Sequence, residues 1–514
     1  MSRRRLLAVG AGGLAGVAAG TLGALSGTRP ARARTELPAD PFTLGVASGD
    51  PAPDGVVLWT RLAPRPLEPG GGMPARPVTV CWQVAEDERF TRVVAAGTHL
   101  ARPERAHSVH VEVTGLAPGR WYHYRFRVGT QISPTGRTRT LPALGATPGA
   151  FRFAVVSCQD WQNGYYAGYQ HIAAEDLDLV LHLGDYLYEG EITPEGTPDT
   201  PGYARAELPP EPVRPEPYTL EQYRLRHALY KTDPQLRLAH AALPWALTWD
   251  DHEVAPNWAG GDSADPAFQA RLAAARQAYH EHLPLRRAAR SGPDFRLYRR
   301  FDVGDLLRLN VTDTRSYRST ERGDMLGAAQ ESWLLDGLIG SPARWNVTTA
   351  QVLMAQLDYQ PGPGQSFSLD KWDGFPESRR RLLTAIADNS VRNPVMLSGD
   401  IHVNLVSDLK TDFNDPAAPV VATEFTGAAI ASRGATAEEQ AGMALLLPES
   451  PHIRYFEGYH RGYLVCRVDR TSWRTDIRAL DTVGWRGQVV TPDAGVRTLA
   501  SFVVEDGQPG AIPG

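Results

Sequence analysis

The sequence predicts a layered α/β domain preceded by a small all-β domain, and three observations carry that expectation. Residues 42–144 read as short alternating runs separated by turn residues, with no helical periodicity. From residue 151 onward, continuous apolar strands alternate with helical stretches, the pattern of a sheet covered by helices. The 514 residues are 42% hydrophobic and 22% charged, which is globular composition with material for two domains. Lys+Arg 53 against Asp+Glu 58 gives a net charge of −5, which argues against a nucleic-acid partner, since that would want a basic face. Gly 49 and Pro 41 require long ordered loops, and loops on a rigid scaffold commonly hold sites. An odd cysteine count, three, leaves at least one thiol unpaired.

Taken in order, the chain opens with Ser2-Arg3-Arg4-Arg5-Leu6-Leu7, then a stretch of Ala, Gly, Leu and Val to Leu25, then Ala31-Arg32-Ala33. These are the three parts of an export signal, and paired arginines before a Gly-rich core resemble a twin-arginine signal over residues 1–33. A membrane anchor is the alternative, but so many glycines offer little apolar area to lipid. The expectation is a protein exported by the Tat machinery, secreted or associated with cell wall or periplasm, without stable membrane insertion.

Residues 40–145 form the first domain. Its strands are expected at Gly55–Leu62, Val78–Ala85, Val93–Leu100, His107–Val113 and Trp121–Val128. Leu116-Ala117-Pro118-Gly119-Arg120-Trp121-Tyr122-His123-Tyr124 resembles the tyrosine corner of fibronectin type III domains, and Pro142–Pro148 reads as a linker. Residues 150–514 form the second domain. It has strands at Phe151–Ser157, Leu179–Leu183, Phe295–Phe301, Leu306–Asp313, Val347–Met354, Val395–Ser398 and Val420–Phe425, with helices at His171–Asp176, Leu220–Tyr230 and Ala264–Arg290. The Pro- and Gly-rich excursion Glu191–Pro217 reads as a surface loop near the site.

Potential ligands follow the strands, where open α/β sheets place their sites. Cys158 follows the first; Asp185 and Tyr188 lie in Gly184-Asp185-Tyr186-Leu187-Tyr188; then come Asp250-Asp251-His252-Glu253, Gln356, and Gly399-Asp400-Ile401-His402. Singly, each has a bland reading: a buried thiol, a packed aromatic, a capping acid. Their order changes the weighing. Gly-Asp-x-x-Tyr, x-Asp-His-Glu and Gly-Asp-x-His resemble the sequential signature of calcineurin-like metallophosphoesterases, with oxygen donors at Asp251, Gln356 and Asp400 where the family uses amide or imidazole. Hard oxygen donors suit Ca2+, while the thiolate, phenolate and imidazole of Cys158, Tyr188 and His402 with Asp185 suit Fe3+.

The substituted pattern is similar to the PhoD-like alkaline phosphatases. It is accompanied by Phe42-Thr43-Leu44-Gly45-Val46-Ala47-Ser48-Gly49-Asp50-Pro51, Thr312-Asp313-Thr314-Arg315 and Trp372-Asp373-Gly374-Phe375-Pro376. The resemblance implies a layered β-sandwich metallophosphoesterase domain and one Fe3+ with Ca2+ ions. Cys158, Asp185, Tyr188 and His402 would lie on the iron side. Asp185, Asp251, Asn257, Gln356 and Asp400 would lie on the calcium side. His252 beside Asp251 would stabilise the transition state or protonate the leaving oxygen. Asn257 and Arg315 would contact substrate, Arg315 as a bidentate phosphate clamp on a turn.

The expected activity is alkaline hydrolysis of small phosphate monoesters, and of diesters as well, by a monomer. A Ca2+-dependent phosphodiesterase or phospholipase D-like hydrolase is the rival enzyme, and a non-catalytic secreted binding protein the rival from another class. Cys81 and Cys466 have apolar neighbours and are expected as buried thiols rather than a bridge.

Overall fold

The computed structural model describes residues 39–196, 204–260, 263–287, 295–483 and 489–514. The expected signal, 1–33, lies outside the described residues, as does part of the 191–217 excursion.

The first stretch contributes β1 (Val46–Ala52), β2 (Gly55–Arg61), β3 (Val78–Ala85), β4 (Val93–Ala101), β5 (Ser108–Val113), β6 (Trp121–Val128), β7 (Gln131–Ile132) and β8 (Gly136–Arg139). Period-two patterning explains them. In β6, Tyr122, Tyr124, Phe126 and Val128 point inward while Arg125 and Arg127 alternate outward. These inward residues meet Val56, Leu58, Val80, Val84 and Val109 in one core between two sheets. The Tyr122 hydroxyl turns back to Ala117, accepting from its N–H at 2.9 Å and facing its carbonyl at 3.3 Å.

Beyond residue 149 come β9 (Ala150–Val156), α1 (Ala167–Ala174), β10 (Leu179–His182), α2 (Leu220–Lys231), α3 (Pro234–Ala242), β11 (Pro244–Leu247), α4 (Pro266–His282), β12 (Arg299–Val303), β13 (Leu307–Val311), α5 (Ala328–Ile339), β14 (Trp345–Thr349), α6 (Pro376–Asp388), β15 (Pro394–Ser398), β16 (Asn404–Lys410), β17 (Val420–Thr426) and α7 (Ala437–Leu446). The chain closes with β18 (Ile453–Glu457), β19 (Gly462–Asp469), β20 (Ser472–Leu480), β21 (Thr482–Val483), β22 (Val489–Val490), β23 (Val496–Glu505) and β24 (Ile512–Pro513). Two large sheets result, ordered β24-β23-β20-β19-β9-β10-β11-β1-β2-β5 and β12-β13-β14-β15-β17-β16-β18. Phe153, Val155 and Leu181 of the first pack on Val347, Val395 and Leu397 of the second. Helices cover the outer faces: Ile172, Leu229 and Leu236 on the first sheet, Leu334, Leu338 and Leu383 on the second. β1 joins the first sheet by pairing in parallel with β11, Ser48 opposite Pro244 and Gly49 opposite Trp245.

Local chemistry sets the boundaries. Asp233 and Asp265 each cap a helix that starts on proline, their carboxylates accepting from the next turn's N–H groups. α4 stops at His282, short of the expected Arg290, because Leu283 is extended ahead of Pro284. β14 stops at Thr349 rather than Met354; the apolar run goes on because Val352, Leu353 and Met354 pack into the helix-side core, not because the ladder continues. The three cysteines are free, Cys158 and Cys466 buried and Cys81 half-buried.

Candidate metal centre

The parallel strands β9, β10 and β11 of one sheet and β13, β14, β15 and β17 of the other direct their following loops to one region. Cys158, Asp185, Asp250–Glu253, Asp400 and His402 all lie just beyond such strand ends. Five residues of the expected ligand set have left-handed backbones: Cys158 (φ 58°), Asp185 (φ 54°), Asn257 (φ 53°), Asp400 (φ 66°) and His402 (φ 58°). Each such non-glycine conformation costs on the order of 1–3 kcal/mol, so the surroundings must enforce it. Cys158 N–H donates to Gly184 O (3.1 Å) and Gln159 N–H to Asp185 O (3.0 Å), stitching two of these loops together. The Glu253 carboxylate accepts from the backbone N–H groups of Asp185 (3.1 Å), Tyr186 (2.6 Å) and Asp250 (2.9 Å), fixing two more.

The side chains form three overlapping groups whose ligand atoms lie within 4.8 Å of one another: Cys158, Asp185 and His402; Asp185, Asp251 and His252; Asp250, Asp251 and Asp400. The Tyr188 hydroxyl joins the first, donating to Asp185 Oδ2 at 3.1 Å and lying 3.1 Å from His402 Nε2. Asp185 belongs to two groups and can bridge two cations. His252 stacks on Tyr188 with ring centroids 4.2 Å apart, and its Nδ1 is 2.8 Å from Glu189 Oε2. A cavity of about 370 Å³ opens beside it, bordered by Asp160, Asn163, Tyr188, Glu189, His402 and Arg433.

Burial, then Asp185, pushes the Cys158 thiol well above its ordinary pKa. Burial likewise raises Asp185, opposed by His252 and reinforced by Asp251, Glu253 and Asp400. Burial and then Asp185 raise Tyr188. His402 is pushed down to about 4, by burial and then by Arg461. At Asp400 burial works upward, but Lys371 and Arg315 prevail and hold it below the usual carboxylate range. Thiol, phenol and carboxyl groups driven toward their neutral forms are what a multivalent cation reverses, so the donor set fits metal. The thiol–phenol–imidazole side fits a transition metal and the all-carboxylate side a hard cation.

Asn257 takes part through its backbone, whose N–H donates to Asp251 Oδ2 at 2.8 Å. Gln356 stands seven residues past the end of β14, its amide engaged by Arg379 (3.4 Å) and Asn414 (3.3 Å). The reading of Arg315 as a phosphate clamp on an exposed turn is corrected. Its side chain is 0% exposed, donating to Asp250 (2.5 Å), Asp370 (2.8 and 2.9 Å) and Asp251 (3.4 Å). Every guanidinium nitrogen is already bonded to a carboxylate, so Arg315 braces the acidic cluster from within.

Several contributors were not singled out by role in the sequence. Glu253 lay in plain view in the Asp-Asp-His-Glu run, and Glu189 adjoins Tyr188. Asp370 and Lys371 directly precede the Trp-Asp-Gly-Phe-Pro motif, Lys371 donating to Asp400 at 2.9 Å. Arg433 carries no local signal. It borders the cavity, with Nη2 2.5 Å from Glu439 Oε1 and a buried Nε lacking a hydrogen-bond partner.

Fold and site together define a class: a layered α/β protein with a multi-donor candidate cation centre at its strand ends. Residues 153–477 match the family described as PhoD-like phosphatase, and residues 27–142 match that family's N-terminal domain. The chain belongs to the PhoD-like phosphatase family. It is 43% identical over 530 residues to alkaline phosphatase D of Bacillus subtilis (strain 168), an alignment covering 99% of this chain and 88% of that protein. A solved structure of PhoD superimposes with a TM-score of 0.86 at 42% identity, covering 93% of each chain.

Proposed function

We propose that this chain is an exported alkaline phosphatase that releases phosphate from small monoesters at an Fe3+/Ca2+ centre. The observation that carries the reading is a run of shared carboxylates: Asp185 belongs to the thiol-containing group and, with Asp251, to the next, and Asp251 belongs in turn to the all-carboxylate group. Cys158, Asp185, Tyr188 and His402 would hold Fe3+. Asp185, Asp251 and Asp400 would hold Ca2+, with Asn257 as a neighbour and with Gln356 if it exchanges its present partners. When bound, such cations supply the Lewis-acid charge that draws in phosphoryl oxygens and eases deprotonation of water.

The protein's own groups do the rest. Glu189 and the Tyr188 ring fix the imidazole of His252, leaving Nε2 to hand a proton to the departing ester oxygen. Arg433 supplies a guanidinium facing the cavity, in the role that buried Arg315 does not fill. The layered sheets support a metallophosphoesterase arrangement, and the Tyr122–Ala117 corner supports a fibronectin type III-like domain at 40–145 ahead of the catalytic domain at 150–514. Among the described residues no helix is long and apolar enough to cross a membrane. Export through the Tat machinery, a secreted or wall-associated location and a monomeric state complete the reading.

Metal analysis of natively exported protein should find iron and calcium, with a visible thiolate- or phenolate-to-iron absorption. Aryl phosphate hydrolysis at alkaline pH should stop on calcium chelation, and rates on bis-aryl phosphate gauge the diesterase alternative. Zinc alone, with full activity after chelation, overturns the assignment. His252→Ala should keep its metal while kcat falls by about 10²–10⁴; parallel loss of metal would instead make His252 structural.

A further inference from the structure

A second cavity of about 280 Å³, sharing no lining residue with the one beside the candidate metal centre, lies between the N-terminal strands and the end of α4. His99 of β4, Arg102, His110 of β5, His280 of α4 and Arg287 converge on it. The His110 and His280 rings stack 4.6 Å apart at 21°, and His110 Nε2 is anchored 2.9 Å from Leu283 O. Three arginines border it, Arg102, Arg105 and Arg287, and of these Arg102 and Arg287 have guanidinium groups with no carboxylate partner among the described residues.

Negative charge at the cavity is already engaged. Glu281, the one carboxylate among the lining residues, is fully buried, accepting from Arg224 at 2.7 and 2.9 Å and from Gln277 at 2.8 Å. Nearby Glu112 accepts from the Arg287 backbone N–H at 2.5 Å and lies 3.9 Å from Arg286. Burial and then the adjacent Arg287 and Arg102 hold His99 below its ordinary pKa, as expected where cations crowd without a counter-charge. In a chain with a net charge of −5, two arginines at one cavity without a carboxylate partner among the described residues are a local exception.

We propose that this cavity is a binding site for a phosphate group, separate from the metal centre. Arg102 and Arg287 supply the charge and forked donors, and the imidazoles of His99 and His280 supply further N–H groups around a tetrahedral oxyanion. The space exceeds what one orthophosphate needs, so either the free ion or the phosphate end of a small ester fits. The proposal requires no catalytic activity and stands apart from the Fe3+/Ca2+ reading.

Isothermal titration of the holoenzyme with inorganic phosphate at low salt should show a phosphate that the Arg102→Ala/Arg287→Ala variant lacks. Initial rates of the variant on a small aryl phosphate should be unchanged. Phenylphosphonate, which cannot be hydrolysed, separates the sources: tighter binding than orthophosphate assigns the site to ester phosphates, equal or weaker binding to the free ion. Identical isotherms for wild type and a folded variant overturn the proposal. Should the variant misfold, imidazole ¹⁵N resonances of His110 and His280 in the wild-type holoenzyme decide it, moving on addition of phosphate if the site exists and remaining fixed if it does not.

Discussion

Arg315 and Arg433 exchange the parts that their sequence contexts suggest. Arg315 sits in a motif just after a strand and invites a substrate role, yet it is sealed among Asp250, Asp251 and Asp370. Removing one member of such a buried ionic cluster strands the others, so Arg315→Met should destabilise the protein by about 3–5 kcal/mol in denaturant unfolding. A rise in KM with stability intact would restore the clamp. Arg433 is held at the cavity by Glu439 of the exposed helix α7, an ion pair only half-screened from water. Such a pair is weak enough to yield to a substrate phosphate. Arg433→Ala should therefore raise KM for an aryl phosphate severalfold and Glu439→Gln should lower it, with the double variant resembling Arg433→Ala. Equal KM values across the series would remove Arg433 from the site. At this scale the convergence of the candidate ligands Cys158, Asp185, Asp251, Asp400 and His402 was legible, because each follows a strand in a spaced motif. The partner of each charge was not, since Glu439, Asp370 and Glu189 are assigned only by folding.

Within the elements, the turn after β10 does the positioning. Gly184 has φ 116°, and a Cβ there would stand 2.5 Å from both Cβ and N of Asp250. The close approach lets the loops after β10 and β11 share the Glu253 carboxylate, which holds Asp185 and Asp250 by their backbones. Gly184→Ala should push these loops apart and, in metal analysis of folded protein, lower occupancy of both cations together. Loss of neither would show that the loops tolerate the separation. Periodicity revealed β3, β6, β9 and β10 almost to the residue, whereas β14 and α4 were read too long. In both cases apolar residues continue past the element's end, into a core for β14 and toward Pro284 for α4, and hydropathy alone does not register that change of backbone.

Across the whole molecule, a nest of buried bases marks the seam between the first strands and the large sheet. Lys231 is 1% exposed with no carboxylate partner among the described residues: its Nζ donates to Tyr186 OH at 3.0 Å and lies 4.6 Å from the centre of the Trp59 ring. His182, His227, His240 and His282 are buried around it, and burial with Lys231 pushes His182 down to about 3. Bases kept neutral in the fold bind protons on unfolding, so stability rises with pH. For His182 the loss accumulates as pH falls from its ordinary value of 6.5 toward about 3, at about 1.4 kcal/mol per pH unit. For Lys231, lowered well below 10.5 by burial, the loss is already present at neutral pH. Lys231→Met should therefore raise Tm near neutral pH, with the gap to wild type narrowing by about pH 10 in scanning calorimetry. A lower Tm in the variant at neutral pH would mean that the Tyr186 bond outweighs desolvation. The sequence by itself determined the strand-and-helix alternation, the order of the ligand motifs and the family they resemble, because periodicity and spacing are local properties of the chain. Only the tertiary structure decided that Arg315 is a buried brace, that Arg433 reaches the cavity and that basic groups from three elements converge on a second one. Charge pairing and burial depend on which distant segments meet, and that information enters only when the sheets pack.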